Sequence, residues 1–261
     1  MDAQQSGLIS VVGTGPGGME HLTPAAGKAI AGADVIIGYR TYLDLIPELL
    51  TGKEVLSSTM MQEVDRCAKA LDLAESGKRV ALVSGGDPGI YAMAGLVFEM
   101  AAQRQSKAAI EVIPGIAAIN GCAARLGAPL MHDFAAVSLS DLLTPWELIE
   151  KRLDAAAQAD FVVAIYNPKS KKRTEHIVRA REIFLQYRPG STPVGIVTAA
   201  TREDEVITLT TLDAMLEAEI GMQSTVIIGN ASTFVWNGHM ITPRGYAGKY
   251  KLETDKGCSC A

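Results

Sequence analysis

Leu8-Ile9-Ser10-Val11-Val12-Gly13-Thr14-Gly15-Pro16-Gly17-Gly18, followed by Thr23-Pro24, is the stretch that decides the fold class. Its first five residues form an apolar run of the kind a strand covered on both faces requires. The glycines then turn the chain tightly, and Thr23 with Pro24 supplies an N-cap and a proline at the first helical position. The unit is strand, turn, helix, and it recurs outward. Ala33–Ile37, Val80–Val83 and Ile110–Ile113 are further strand-like runs, while Met61, Val64, Cys67, Ala68, Leu71 and Ala74 recur at helical spacing. After Pro114-Gly115 the pattern restarts. Phe161–Ile165, Val194–Val197 and Thr225–Ile228 read as strands, and Pro145–Ala157 and Thr174–Gln186 read as helices. The fold class is therefore α/β, in two successive α/β domains spanning 1–113 and 114–252, with a disordered tail expected over 253–261. No sequence repeat relates the halves.

Composition narrows the function. The chain has 261 residues, 48% hydrophobic and 20% charged, enough apolar side chains for substantial cores. A net charge of −5 gives no global footprint for nucleic acid or an anionic membrane. The opening Met-Asp-Ala-Gln-Gln-Ser-Gly lacks a signal-peptide pattern, and no run reaches the ~18 apolar residues of a membrane span. Four cysteines, Cys67, Cys122, Cys258 and Cys260, do not form a disulfide framework, which fits a cytoplasmic protein. Cys258 and Cys260 provide two soft ligands and leave a tetrahedral metal site incomplete, so no metal is expected.

Four constellations are candidates for chemistry. Gly13, Gly15 and Gly18 formally satisfy G-x-G-x-x-G after a strand, the dinucleotide fingerprint. The acidic residue expected about 20 positions on is missing, and the second strand ends in Gly38-Tyr39-Arg40, where Arg40 suits an NADP phosphate better. The plainer reading is a tight glycine turn. Ser84-Gly85-Gly86-Asp87-Pro88-Gly89-Ile90-Tyr91 lies at another strand end, where ligands of open α/β folds gather. Asp87 has two readings there, a cap for a helix over Ile90–Gln103 or a contact to a cationic or hydroxylated ligand. Tyr166-Asn167-Pro168-Lys169-Ser170-Lys171-Lys172-Arg173 places four cations in five positions on an acidic chain, which points to carboxylate or phosphate recognition or to a solvated loop. Finally, residues 127–146 crowd His132, Asp133, Ser138, Ser140, Asp141 and Thr144 into one loop–strand–loop segment, a density that suits proton handling. Helix capping is the competing role for Asp141, although Thr144 fits the N-cap better.

Gly13-Thr14-Gly15-Pro16-Gly17, Ser84–Gly89 and Pro114-Gly115-Ile116-Ala117-Ala118, in that order, resemble the S-adenosylmethionine-dependent tetrapyrrole methyltransferases. Gly127–Trp146, Tyr166–Arg173 and Met240-Ile241-Thr242-Pro243-Arg244-Gly245-Tyr246 resemble the C17-methyltransferases of corrin ring synthesis, which also contract the ring. Gly38–Tyr42 and Pro129–His132 look more like the anaerobic branch acting on cobalt-factor III than its aerobic sibling acting on precorrin-3B. The resemblance implies two α/β domains with the methyl donor in the cleft between them, in a homodimer. It implies donor contacts from Gly85, Gly86, Asp87, Ile90, Tyr91, Ala117, Ala118, Tyr166, Asn167, Ile228 and Gly229. It places Gly15 and Pro16 near the tetrapyrrole, with Arg40, Lys169, Arg173 and Arg244 holding substrate carboxylates, and makes the dinucleotide fingerprint a decoy. Cobalt would enter only within the substrate.

The implied chemistry has two parts. Methyl transfer from a sulfonium needs alignment more than a base. Asp87 is therefore expected away from the sulfur, where full negative charge would favour the ground state. Ring contraction needs protons moved, and Asp141 and His132, with Ser138, Ser140 and Thr144 as hydrogen-bonding partners, are the candidates. An NADP-dependent oxidoreductase and a non-catalytic tetrapyrrole carrier are the rival classes.

Overall fold

The computed structural model describes residues 7–59 and 62–252. Met61 of the apolar stripe and the tail 253–261, with Cys258 and Cys260, lie outside the described residues. The chain forms two compact units. One runs to Cys122 and takes in Ala199–Val206; the other holds Ala123–Thr198 and the residues from Ile207 onward.

The first unit contains strands β1 (Leu8–Gly13), β2 (Val35–Tyr39), β3 (Glu54–Ser58), β4 (Arg79–Ser84) and β5 (Ala109–Ile113). Its helices are α1 (Pro24–Ala31), α2 (Arg40–Leu43), α3 (Glu63–Glu75) and α4 (Met93–Arg104). The sheet order is β3-β2-β4-β1-β5, with every pairing parallel. Strand side chains alternate faces. Ile9, Val11, Val35, Ile37, Val80 and Leu82 pack against Cys67, Ala70, Leu71 and Ala74 of α3 and Val97 and Ala101 of α4. Val12, Ile36, Ala81 and Val83 pack on the other side against Ala26 and Ile30 of α1 and Leu43 of α2. Both faces are covered, which is why the strands read as continuous apolar runs. Thr23 caps α1 as expected, its Oγ1 accepting from Ala26 N at 3.1 Å ahead of Pro24.

Helix α5 (Ala118–Leu126) carries the chain into the second unit. There follow β6 (Gly127–Ala128), β7 (Phe134–Ser138), α6 (Trp146–Gln158), β8 (Val162–Tyr166), α7 (Glu175–Leu185), β9 (Pro193–Thr198), β10 (Val206–Thr211), β11 (Ser224–Ile228), β12 (Phe234–Trp236) and β13 (His239–Ile241). A five-stranded sheet has the order β10-β9-β11-β8-β7, and β12-β13-β6 form a small separate sheet. β11 is antiparallel to both β8 and β9, whereas β7 and β8 are parallel. Ile149 and Leu153 of α6 and Ile177, Ala180, Ile183 and Phe184 of α7 cover one face, against Val163, Ile165, Val194, Ile196, Val226 and Ile228. On the other face Leu126 occupies the space above Gly195, where an added Cβ would lie 2.4 Å from its Cδ1.

Two expectations about helix starts are corrected. The helix expected from Ile90 begins at Met93, because residues 87–91 are spent in a turn: Gly89 N donates to Asp87 Oδ1 at 2.8 Å. Asp87 thus caps a turn and not the helix. At α6 the N-cap is Pro145, whose carbonyl accepts from Leu148 N and Ile149 N at 3.1 and 3.3 Å, so neither Thr144 nor Asp141 caps it. The strands β3, β6, β7, β10, β12 and β13 had no counterpart among the apolar runs, β7 being expected only as the strand of the loop–strand–loop segment.

Candidate functional site

In the first unit, three glycine segments meet at the carboxyl ends of the adjacent strands β4, β1 and β5. Gly15 N donates to Gly86 O at 3.1 Å and Gly86 N to Gly15 O at 2.8 Å, a two-bond bridge between loops. Both residues have positive φ, +80° and +64°, which glycine adopts without the Cβ penalty. Thr14 N donates to Ser84 O at 2.9 Å. The third segment closes over them. A Cβ on Gly115 would lie 2.2 Å from Gly86 O, and one on Gly13 would lie 2.7 Å from Gly115 N. Asp87 joins the segments, because its Oδ2 accepts from Gly115 N at 3.2 Å.

The dinucleotide reading fails on this geometry. A phosphate cradle needs free amides opening a helix. Here the amides of Thr14, Gly15 and Gly18 donate to Ser84 O, Gly86 O and Thr201 O, and α1 begins only at Pro24. Gly15 and Pro16 are buried. The segment Ala199–Val206 covers this loop: Arg202 Nε donates to Pro16 O at 3.0 Å, and a Cβ on Gly17 would meet Thr201 Oγ1 at 2.4 Å. Arg202 and Thr201 escaped the sequence reading because Thr201-Arg202-Glu203-Asp204-Glu205 has the composition of a solvated loop.

Next to the glycine bridge lie the remaining first-unit candidates. The Cβ position of Gly86 is 3.5 Å from Ala118 N and 3.8 Å from Ala117 Cα. Ile90 and Tyr91 follow and are exposed, with Tyr91 at φ +51°. Tyr42 backs Gly85, whose Cβ position lies 2.5 Å from the ring, and burial raises the phenol pKa of Tyr42. Arg40 stands apart at the start of α2, exposed and 3.9 Å from Asp44.

The second unit gathers a different set at the carboxyl ends of the parallel pair β7 and β8. Asn167, at φ +49°, donates from Nδ2 to Ser138 Oγ at 2.9 Å, and Ser140 N donates to the same oxygen at 3.2 Å. Arg173 reaches back from just before α7. Its Nη2 donates to Asn167 O at 2.7 Å, and its Nη1 lies 3.8 Å from Asp141 Oδ1. The other Asp141 oxygen lies 3.6 Å from His176 Nε2. The opposite ring nitrogen of His176 is 3.1 Å from Leu139 O, and Trp146 stacks on the imidazole at 3.9 Å and 14°. Ser138, Ser140, Asp141, Asn167 and Arg173 are thus brought together, with Tyr166 at the strand end beside them.

Other candidates lie elsewhere in this unit. His132 is paired locally, its Nδ1 accepting from Asp133 N at 2.8 Å and lying 3.6 Å from Asp133 Oδ2. No contact joins it to Asp141 among the described residues. Thr144 sits in the loop before α6, half-buried. Ile228 is fully buried within the apolar core. The carbonyl of Gly229 accepts a short hydrogen bond from Arg188. Lys169 is half-buried in the basic loop. Arg244 lines an open hollow of about 280 Å³ with Tyr246, Lys249 and Tyr250. His176, in the first turn of α7, was missed; its place three residues after Arg173, at the start of the helix that follows the basic loop, was the available signal.

Residues 8–216 match the model of the Tetrapyrrole (Corrin/Porphyrin) Methylases. The chain belongs to this family. The methylase is 54% identical over 250 residues to the cobalt-factor III methyltransferase of Priestia megaterium, covering 94% of this chain and 46% of that protein. It therefore spans about half the length of that relative. It is 46% identical to a probable cobalt-factor III C(17)-methyltransferase of Salmonella typhimurium, over 92% of this chain and 99% of the other. Among solved structures, the methyltransferase CobJ superposes with a TM-score of 0.85 at 37% identity, covering 91% of this chain and all of that one. These matches set aside the oxidoreductase and carrier readings. Among the described residues, no helix is long and apolar enough to cross a membrane.

Proposed function

We propose that this methylase is an S-adenosylmethionine-dependent C17-methyltransferase of corrin synthesis that also promotes ring contraction, acting on cobalt-factor III. The observation that carries the reading is 46% identity to a probable cobalt-factor III C(17)-methyltransferase across 99% of that protein's length. Bound S-adenosylmethionine supplies the methyl group from a sulfonium. The glycine bridge suits such a donor: its backbone approach is open only to glycine, and exposed Ile90 and Tyr91 offer apolar surface beside it. The carboxylate of Asp87 is already engaged by Gly89 N and Gly115 N. Those two bonds commit the carboxylate to backbone, which would suit a donor whose sulfonium should not be met by full negative charge.

Asp141 is the proposed proton-handling residue for ring contraction, with Ser138, Ser140 and Asn167 organising the adjoining loop and Thr144 and His132 as outlying candidates. Arg40, Lys169 and Arg244 would receive carboxylates of the macrocycle. Arg173 is committed to Asn167 O and Asp141, so its contribution is to shape the site as well as to attract anions. By the same resemblance the enzyme works as a homodimer in the cytoplasm. Anaerobic incubation with methyl-labelled S-adenosylmethionine and cobalt-factor III, read by mass spectrometry and absorbance, tests the reading. One labelled methyl and a contracted ring are expected. Transfer only to metal-free precorrin-3B would move the enzyme to the aerobic branch, and transfer to neither would refute it. Asp141→Asn should lower contraction by about 10²-fold or more while leaving S-adenosylhomocysteine affinity unchanged.

A further inference from the structure

We infer that His176 is a positioning residue that holds Asp141 ready to take up or deliver the proton moved in ring contraction, an inference that rests on the function proposed above. The imidazole is fixed on three sides. One ring nitrogen, Nδ1, lies 3.1 Å from Leu139 O, and a carbonyl can only accept, so Nδ1 carries a proton. Trp146 stacks over the ring plane at 3.9 Å and sets its tilt. The side chain is only 17% exposed. Its remaining nitrogen, Nε2, is thereby aimed at Asp141 Oδ2, 3.6 Å away.

With Nδ1 committed to Leu139 O, Nε2 is the ring atom left to face Asp141. At 3.6 Å the two atoms stand at ion-pair range, just beyond a hydrogen bond, so a small shift of the Asp141 side chain brings Oδ2 within reach of Nε2. Arg173 Nη1 flanks the other carboxylate oxygen at 3.8 Å, and Asp141 is itself 42% exposed. Asp141 therefore has a fixed, half-buried imidazole on one side and open access on the other, the arrangement a relay needs. His132, the histidine nearer in sequence, lacks it: its Nδ1 is turned to Asp133. Leu139 follows β7 directly, and its amide donates to Tyr166 O at 3.0 Å. The carbonyl that fixes His176 is thus itself anchored to the paired strands.

The two ring nitrogens can be separated by substitution. His176→Gln keeps a donor near the Nε2 position, and His176→Asn keeps one near Nδ1. Methyl incorporation and S-adenosylhomocysteine affinity report the proposed function; contracted product per methyl transferred reports the inference. In His176→Asn the contracted fraction should fall by about 10²-fold, and in His176→Gln it should recover to within about tenfold of wild type. Recovery by Asn and not by Gln would show that the Leu139 contact alone matters and would overturn the inference, as would equal contraction in all three proteins. Independently of turnover, the ¹⁵N spectrum of His176 should show Nδ1 protonated, and Asp141→Asn should move the Nε2 resonance. An unmoved Nε2 resonance would also overturn it. Absence of methyl transfer by the wild type would refute the function instead, while the spectrum still decides the His176–Asp141 coupling.

Discussion

Gly115→Ala is the sharpest perturbation of the glycine bridge. The new Cβ would lie 2.2 Å from Gly86 O, 2.8 Å from Gly13 C and 2.9 Å from Gly13 O, all backbone atoms with no flexible end to yield. Ordinary contact requires roughly 3.4 Å or more, so the Gly85–Gly89 loop must move by about 1 Å. Such a shift breaks the pair of bonds between Gly15 and Gly86 and the one from Gly115 N to Asp87. Backbone hydrogen bonds contribute about 0.5–1.5 kcal/mol each, and overpacking typically costs about 1–3 kcal/mol. The sum is about 2.5–7.5 kcal/mol, or a fall in Tm of at least roughly 5 °C. Gly95→Ala is the matched control, since nothing lies within 4 Å of its Cβ position inside α4. It should stabilise by about 0.5–1 kcal/mol. Calorimetric unfolding gives both values, and titration with S-adenosylhomocysteine gives the donor affinity. A Gly115→Ala protein with wild-type Tm and wild-type donor affinity would refute the argument that this backbone closeness builds the site.

Arg188→Met should destabilise by about 2–4 kcal/mol in urea titration. It strands Gly229 O and Phe161 O, both bonded to a guanidinium whose pKa burial already lowers. Cys67 is fully buried, and desolvation pushes its thiol up to about 11. At pH 8 it should stay unalkylated by iodoacetamide in the native protein and react after unfolding, as peptide mapping would show. Because the folded value lies above the unfolded one, near 9, this group costs no stability below pH 9 and favours unfolding progressively between pH 9 and 11. Arg173→Lys should reduce contraction and tetrapyrrole affinity about tenfold without changing S-adenosylhomocysteine affinity, because one ammonium cannot both hold Asn167 O and flank Asp141. Equal loss of both affinities would show that Arg173 supports the whole unit.

Local chemistry was legible where it acts over a few residues. Thr23-Pro24 starts a helix because the cap and the proline operate within one turn, and the β1 run is apolar because helices cover both faces of its sheet. Strand direction was not legible: Thr225–Ile228 reads as buried, and burial is the same whether a strand runs parallel or antiparallel. The strand β3, Glu-Val-Leu-Ser-Ser at a sheet edge, buries too little to leave an apolar run. At the site, the density of polar residues around Ser138–Asp141 marks a segment whose side chains the fold does gather. The histidine beside Asp141 is His176 and not His132, because His132 is near it only in sequence while His176 reaches it through the fold. Arg202 lay beyond sequence reading for the same reason, being 186 residues from the Pro16 carbonyl it holds.

That last contact bears on the order in which the chain is made. Domains emerging from the ribosome generally fold as units, amino end first. The first unit cannot finish in that way, because Ala199–Val206 belongs to it and is synthesised after Thr198 of the second unit. Until then Gly17 and Pro16 lack their cover from Thr201 and Arg202. A fragment ending at Cys122 would carry all five parallel strands and still expose its first glycine loop. The two units are therefore interleaved in time, and cutting the gene between them would yield no complete half.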